Sequence, residues 1–305
     1  MPKPFVSVVI PTFNRGTSLP AAVQSVLAQT YRNLELIVVD DCSKVPVAET
    51  LKDIQDSRLR VIRHERNRKV GAARNTGAEN ARGTWLAFLD DDDFWRPDKL
   101  QKQLDYIQSK EGRVDACLTE FGLAGRQTLY RRRSLATDVD WSMVAGACLL
   151  MGSSMLVRRD VFERVGNFDV SLPRAEDWDW LLRYHNSGHK MGIVPGELTM
   201  YSGAHRGTPE EEADNVRRIV AKHGKDFRGN GRLSRTFRAA AGWKLARTEF
   251  AKRRYVSGTA RLASTAACHP IHFGRYLRIV LAGPARHILR QGVPFQSLFR
   301  RDRSP

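Results

Sequence analysis

Residues 85–93 read Trp-Leu-Ala-Phe-Leu-Asp-Asp-Asp-Asp, an apolar run that stops in four consecutive carboxylates. Such a run reads as a buried strand that delivers acids to its own C-terminal end. Carboxylates packed side by side repel one another and raise each other's pKa, so the arrangement costs stability unless a cation neutralises it. The alternative is a solvated acidic turn. In open α/β sheets, ligands bind in the crevice beyond the carboxyl ends of the strands. Hard divalent ions are held there by one or two carboxylates together with substrate phosphates.

The preceding chain supplies the rest of such a sheet. Residues 6–10 are a β-branched run ended by Pro11, and residues 34–39 are a second run followed by Asp40-Asp41-Cys42-Ser43. Continuous apolar runs of this kind suit strands buried on both faces. Leu19, Ala22, Val23, Val26 and Leu27 recur at helical spacing, predicting a helix to about residue 29. A short helix near 47–54, a strand at 58–63 and a helix over about 71–81 follow, and Pro97 is placed to open another helix as its first residue. This alternation predicts an α/β fold with a doubly wound, mostly parallel, Rossmann-like sheet and right-handed crossovers. Loops after the first, second and fourth strands then put Thr12, Asp41 and Asp92 in one cleft. From about Gly112 to Tyr201 the alternation decays into strands such as 154–158 and shorter helices. Residues 176–186 read as a helix closed by Gly188, and Pro209 opens another to about His223, with Glu210, Glu211 and Glu212 suited to its N-terminus.

The 305 residues suffice for one large domain or two modest ones. The four cysteines, Cys42, Cys117, Cys148 and Cys268, stand far apart without a CxxC spacing and read as reduced thiols. The N-terminus runs straight into a strand without a signal-peptide layout, and no apolar stretch reaches the roughly 20 residues of a membrane span, so a cytoplasmic protein is expected. The net charge of +17 is unevenly placed: residues 227–305 hold 17 basic side chains against only Glu249 and Asp302. Residues 1–226 are therefore nearly neutral and read as the body of the fold, in two parts at about 1–111 and about 112–226. Residues 224–231 read as a linker, and residues 227–305 as a basic helical C-terminal extension.

Several segments line up with a known pattern. Val8-Val9-Ile10-Pro11-Thr12-Phe13-Asn14-Arg15, Val38-Val39-Asp40-Asp41-Cys42-Ser43 and Gly71-Ala72-Ala73-Arg74-Asn75-Thr76-Gly77 are followed by Phe88-Leu89-Asp90-Asp91-Asp92-Asp93, then Trp95-Arg96-Pro97-Asp98-Lys99-Leu100, Gly166-Asn167-Phe168-Asp169 and Glu176-Asp177-Trp178-Asp179-Trp180-Leu181. Together they resemble the family 2 inverting glycosyltransferases of the GT-A fold, over roughly residues 5–205. The resemblance implies a metal-dependent, hexosyltransferase-type enzyme that moves one sugar from a nucleoside diphosphate sugar, UDP-linked by expectation, to a glycan or lipid-linked glycan hydroxyl in cell-surface polysaccharide synthesis. It implies Asp177 as the base, with Glu176 supporting it. Asp92 becomes the main ligand of Mn²⁺ or Mg²⁺, with Asp90 or Asp91 assisting and His205 approaching the metal or diphosphate. Pro11, Thr12, Asn14, Asp40, Asp41, Arg74, Asp90 and Asp91 would line the nucleotide-sugar site. Arg66, Arg68 and Lys69 surround the helix start at Gly71, where a diphosphate would sit well; a solvated basic loop is the other reading. Trp178 and Trp180 fit the core or a sugar platform, and Asp179 reads as structural. His64, His185, His189, His223, His269, His272 and His287 are given no role.

The chain departs from the family pattern at Cys42, where glycine is most common, and it lacks a Gln-x-x-Arg-Trp segment, against a processive synthase. A nucleotidyltransferase on a related fold and a non-catalytic nucleotide-sugar-binding module remain as alternatives. For the basic extension, peripheral contact with the inner leaflet of the membrane stands beside a helical hairpin packed on the catalytic domain. Nucleic acid is disfavoured as a partner because no recognised binding motif accompanies the charge.

Overall fold

A computed structural model describes residues 5–123, 152–202, 208–226 and 231–268. Its centre is an eight-stranded mixed sheet in the order β3-β2-β1-β4-β7-β6-β8-β5. Strands β1 (Val6–Thr12), β2 (Leu34–Asp40), β3 (Leu59–Arg63) and β4 (Trp85–Phe88) form the parallel half. Every residue of β1 and β2 is buried. Side chains alternate between the two faces of a strand, so each strand feeds two cores. Val9, Ile37 and Phe88 join one core with Ala73, Phe162 and Trp180. Val8, Ile10, Leu36 and Val38 join the other with Leu19, Val23 and Val26 of α1 (Leu19–Leu27). Each fully buried valine or leucine of this kind contributes about 2 kcal/mol of transfer free energy.

The second half departs from simple alternation. Strand β7 (Leu156–Arg158) runs antiparallel to β4 and β6 (Ala116–Leu123), β6 is parallel to β8 (Met191–Tyr201), and β5 (Phe94–Trp95) closes the edge antiparallel to β8. The sequence periodicity fades here for a visible reason. The β6–β8 register shifts at Thr119/Glu120, where Pro195 and Gly196 are passed over and Gly196 adopts φ +102°, and again at Glu120/Phe121, where Leu198 is passed over. A bulge reverses which residues face inward and breaks the period of two.

Helices α2 (Val47–Thr50), α3 (Lys69–Glu79), α4 (Lys99–Ser109), α5 (Arg159–Val165) and α6 (Glu176–Asn186) complete this region. Pro97 does not open α4: the helix is capped at Asp98, and the Pro97 carbonyl instead accepts from the Thr30 N–H at 2.8 Å. Helix α6 has the expected bounds, with Gly188 at φ +76° beyond it. Helix α7 (Pro209–His223) starts in a capping box between Thr208 and Glu211. The basic extension contributes α8 (Gly231–Ala251) and α9 (Tyr255–Cys268), which pack as a hairpin turned at Arg253, φ +58°. Phe237 and Ala240 of α8 are buried in the same core as Trp178 and Trp180. No helix among the described residues is long and apolar enough to cross a membrane.

Candidate active site

The loops after β1, β2 and β4 meet through direct hydrogen bonds. Thr12, the last residue of β1, donates its hydroxyl to Asp91 Oδ2 at 2.7 Å, and its carbonyl accepts the Asp41 N–H at 2.9 Å. Pro11 is buried in register with Val39. Arg15 stands 4.0 Å from Asp91 and 3.6 Å from Asp92. A cavity of about 390 Å³ lined by Asn14, Arg15, Ser43, Lys44 and Val47 adjoins these loops, so Arg15 links open space to the acids.

The two aspartates after β2, grouped together by sequence, part company in the structure. Asp40 is fully buried and turned into its own loop, where it accepts from the N–H groups of Ser43 and Val47 and from Arg63 at 2.6 Å. Its expected contact with nucleotide has no free face: it caps the approach to α2. Asp41 faces the other way. Its Oδ1 accepts from His64 Nδ1 at 2.7 Å and the Arg68 N–H at 2.8 Å, and its Oδ2 from the Lys69 N–H at 2.8 Å. The Arg68 and Lys69 amides at the start of α3 are thus taken by an internal carboxylate. Cys42 adopts φ +68°, the left-handed region where a side chain is disfavoured. Asn14, at φ +56°, ties the β1 and β2 loops together, donating its N–H to Ser43 Oγ and accepting from the Lys44 N–H at 2.8 Å.

The acids after β4 are individually held. Ser153 donates to Asp93 Oδ2 at 2.5 Å, accepts from the Asp90 N–H at 3.1 Å, and through its carbonyl holds the Trp95 indole at 2.7 Å. Asp93 also accepts from the Ser202 N–H at 2.9 Å. Arg74 is buried and joins this loop to α6, donating one nitrogen to Asp90 at 2.6 Å and another to Glu176. Gly152 lies against this contact: an added Cβ would come within 2.9 Å of Arg74 Nη2. Glu176 is buried, whereas Asp177 is half-buried with one carboxylate oxygen on the Trp178 N–H at 2.7 Å. Consecutive helical residues do not share a face, and the acid pair divides accordingly. Ala175, at φ +63°, makes the sharp entry into α6. Trp178 and Trp180 are core residues, and buried Asp179 is bonded to His223 and Arg183. His205 lies outside the described residues.

Charge in this cluster is undercompensated. Burial, with the neighbouring charges of Asp90 and Asp92, pushes Asp91 up to about 7 against its Thr12 hydrogen bond. Burial and Asp90 push Asp93 up to about 7, and burial and Asp90 also raise Asp92. Glu176 is pushed up to about 7 by burial and the Asp177 charge, against the attraction of Arg74. Burial disfavours the Arg74 charge, but Asp90, Glu176 and Asp177 more than restore it. A divalent cation fits this donor set: the oxygens are hard, clustered and short of positive charge. Among the described residues no three His, Cys, Asp or Glu side chains enclose a metal. Oxygens of this kind suit an ion held by one or two carboxylates and completed by ligand phosphates, as magnesium commonly is.

Residues missed at the sequence level share one trait. His64, Ser153 and Arg15 belong to no acidic run, and each acts through an acid far away in the chain. Two signals were on offer: Arg15 ends the Val8–Arg15 motif, and His64 stands just beyond a predicted strand end.

The mixed sheet, with acids at the ends of several strands and an acid pair at the start of a facing helix, defines the GT-A class of α/β transferase folds. Residues 7–166 match the Glycosyl transferase family 2. The chain belongs to this family. An uncharacterized glycosyltransferase of Haemophilus influenzae is 30% identical over 182 residues, 58% of this chain and 61% of the relative, so the chain spans less than two thirds of that relative's length. The Escherichia coli UDP-Glc:alpha-D-GlcNAc-diphosphoundecaprenol beta-1,3-glucosyltransferase WfaP is 34% identical over 177 residues, 58% of this chain and 68% of the relative. The solved structure of S. aureus TarS 1-349 in complex with UDP-GlcNAc has a TM-score of 0.68 at 17% identity, covering 88% of this chain and 82% of that one. The mannosyltransferase PcManGT from Pyrobaculum calidifontis, in complex with GDP-Man and Mn²⁺, has a TM-score of 0.63 at 19% identity, covering 97% and 84%. Both structures share the fold.

Proposed function

We propose that this chain transfers one sugar, with inversion, from a UDP-linked donor to a hydroxyl of a lipid-linked or related glycan in cell-surface polysaccharide synthesis. The observation that carries the reading is Arg74, which bonds both Asp90 after β4 and, across 102 positions of sequence, Glu176 of the α6 acid pair. In this reading a donor site and a proton acceptor are thereby held against each other. The WfaP relative, whose name describes transfer from UDP-Glc to a diphosphoundecaprenol-linked sugar, supports the donor and acceptor classes.

In this reading Asp41 receives the nucleotide base, and Thr12 and Arg15 hold the acidic loop in place. Asp177, the more exposed member of the acid pair, takes the proton of the acceptor hydroxyl as its oxygen bonds to the sugar carbon and the bond to the diphosphate breaks. Glu176 does not face the acceptor; with Arg74 it fixes the start of α6. Asp92, with Asp90, would hold Mn²⁺ or Mg²⁺, which when bound stabilises the departing diphosphate as a Lewis acid. PcManGT, which shares the fold, is in complex with GDP-Man and Mn²⁺, which supports the use of a divalent cation.

Nucleotide release from UDP-sugars, measured with Mn²⁺ and then with a chelator, tests the proposal. Asp177→Asn is expected to lower turnover by about 10²–10⁴-fold. Donor affinity should change little, because the base matters chiefly in the transition state. Equal loss of donor binding would remove Asp177 from its role. The basic helices support peripheral attachment at the cytoplasmic face of a membrane. Sedimentation of the whole chain with anionic rather than zwitterionic vesicles is the expected result, and equal partitioning would sink it.

A further inference from the structure

Asp41 is nearly sealed, 3% exposed, and its hydrogen-bonding capacity is almost used up. An ionised carboxylate offers about four acceptor positions, two per oxygen. His64 Nδ1 and the Arg68 N–H fill both positions on Oδ1, and the Lys69 N–H fills one on Oδ2. A single acceptor position on Oδ2 is left. The imidazole is itself locked: His64 is 7% exposed, and its Nε2 lies 2.9 Å from Thr76 Oγ1. A carboxylate partner makes Nδ1 the protonated nitrogen, and Nε2 then accepts the Thr76 hydroxyl. Thr76 sits on α3, whose first amides hold the same aspartate, so the ring, the helix and the carboxylate fix one another.

We infer that His64 is a positioning residue for Asp41, and that by occupying Oδ1 it fits the site to a base presenting one N–H donor, a pyrimidine, over guanine. This inference rests on the proposed role of Asp41. Uracil and thymine offer one ring N–H to a carboxylate. Guanine offers a ring N–H and an exocyclic amine side by side, which call for both oxygens at once. With Oδ1 filled, one guanine donor is buried without a partner, and sites with unpaired buried polar groups reject a ligand strongly.

Calorimetric titration of the whole chain with UDP and with GDP, each with Mn²⁺, tests this in the wild type, Asp41→Asn, His64→Leu and His64→Asn. The wild type is expected to bind UDP at least about tenfold more tightly than GDP, about the effect of one lost hydrogen bond. In His64→Leu, UDP binding should weaken by about tenfold and the UDP-to-GDP ratio should shrink toward one, because Asp41 is loosened and Oδ1 opened. His64→Asn can place an amide N–H where Nδ1 stood and should restore both quantities; a role in packing alone would not produce that rescue. GDP binding as tight as UDP in the wild type, a comparison that needs no variant, overturns the inference. UDP binding lost in Asp41→Asn but intact in His64→Leu overturns it while leaving the proposed function standing. A wild type that binds neither nucleotide overturns both.

Discussion

Asp40 and Asp41 are neighbours in sequence with one side-chain type between them, yet one closes a loop and the other faces α3. The difference follows from the alternation of side chains at a strand end. The same economy governs the acids after β4, where burial and mutual repulsion raise Asp91 and Asp93 to about 7. A carboxylate whose folded pKa lies above its unfolded value binds more protons when folded. Its stabilising contribution is present below the unfolded pKa near 4 and lost as pH rises through the folded value near 7. In chelator, the melting temperature should therefore fall between about pH 4 and pH 7 from this source. Asp91→Asn should flatten that fall and stabilise the metal-free protein above about pH 7. An unchanged pH profile in differential scanning calorimetry would refute it. The same variant is expected to weaken Mn²⁺-dependent donor binding, since the strain of the apo site is what a cation relieves.

At the scale of elements, close approach decides more than propensity. Gly77 lies in α3, where alanine would favour the helix by about 1 kcal/mol. A Cβ at this position, however, would come within 2.2 Å of Val9 Cγ1 on β1. Overpacking of that severity costs about 1–3 kcal/mol or more, so the packing effect wins. Gly77→Ala is expected to lower stability in urea titrations by about 1–2 kcal/mol net. It should also weaken nucleotide binding, because α3 carries Arg74, Thr76 and the amides that hold Asp41. A stabilised variant would show that α3 does not seat against β1 as described. Strands β6 and β8 teach the converse lesson. Their register shift at Glu120 and the Pro195-Gly196 interruption erase the period of two, so the longest strand of the sheet was not apparent in advance.

For the molecule as a whole, the charge asymmetry suggested a separate module beyond residue 226, whereas α8 shares the core. Phe237 is 1% exposed and packs on Trp178 with ring centroids 5.6 Å apart. The basic side chains ride on a helix whose apolar stripe is spent on α6 and α7, so charge and burial are carried by different faces. Phe237→Ala is expected to cost about 3–5 kcal/mol. Thermal unfolding followed by near-ultraviolet dichroism should show one transition that moves as a whole. Two transitions, with only the smaller one shifted, would mean that the helical hairpin folds apart from the sheet.

What the chain alone determined is whatever depends on near neighbours: the buried runs of β1, β2 and β4, the bounds of α6 and its Gly188 stop, and the order of the acid-bearing motifs that mark the family. Each is written in spacings of a few residues, the range over which helix and strand periodicities act. Only the folded chain decided the partners: Thr12 with Asp91 across 79 positions, Arg74 with Glu176 across 102, and His64 rather than solvent against Asp41. Those pairings depend on which strand lies beside which and on a left-handed turn at Cys42 or Ala175. They are set by burial, because a charge taken from water must find its partner wherever the fold brings one.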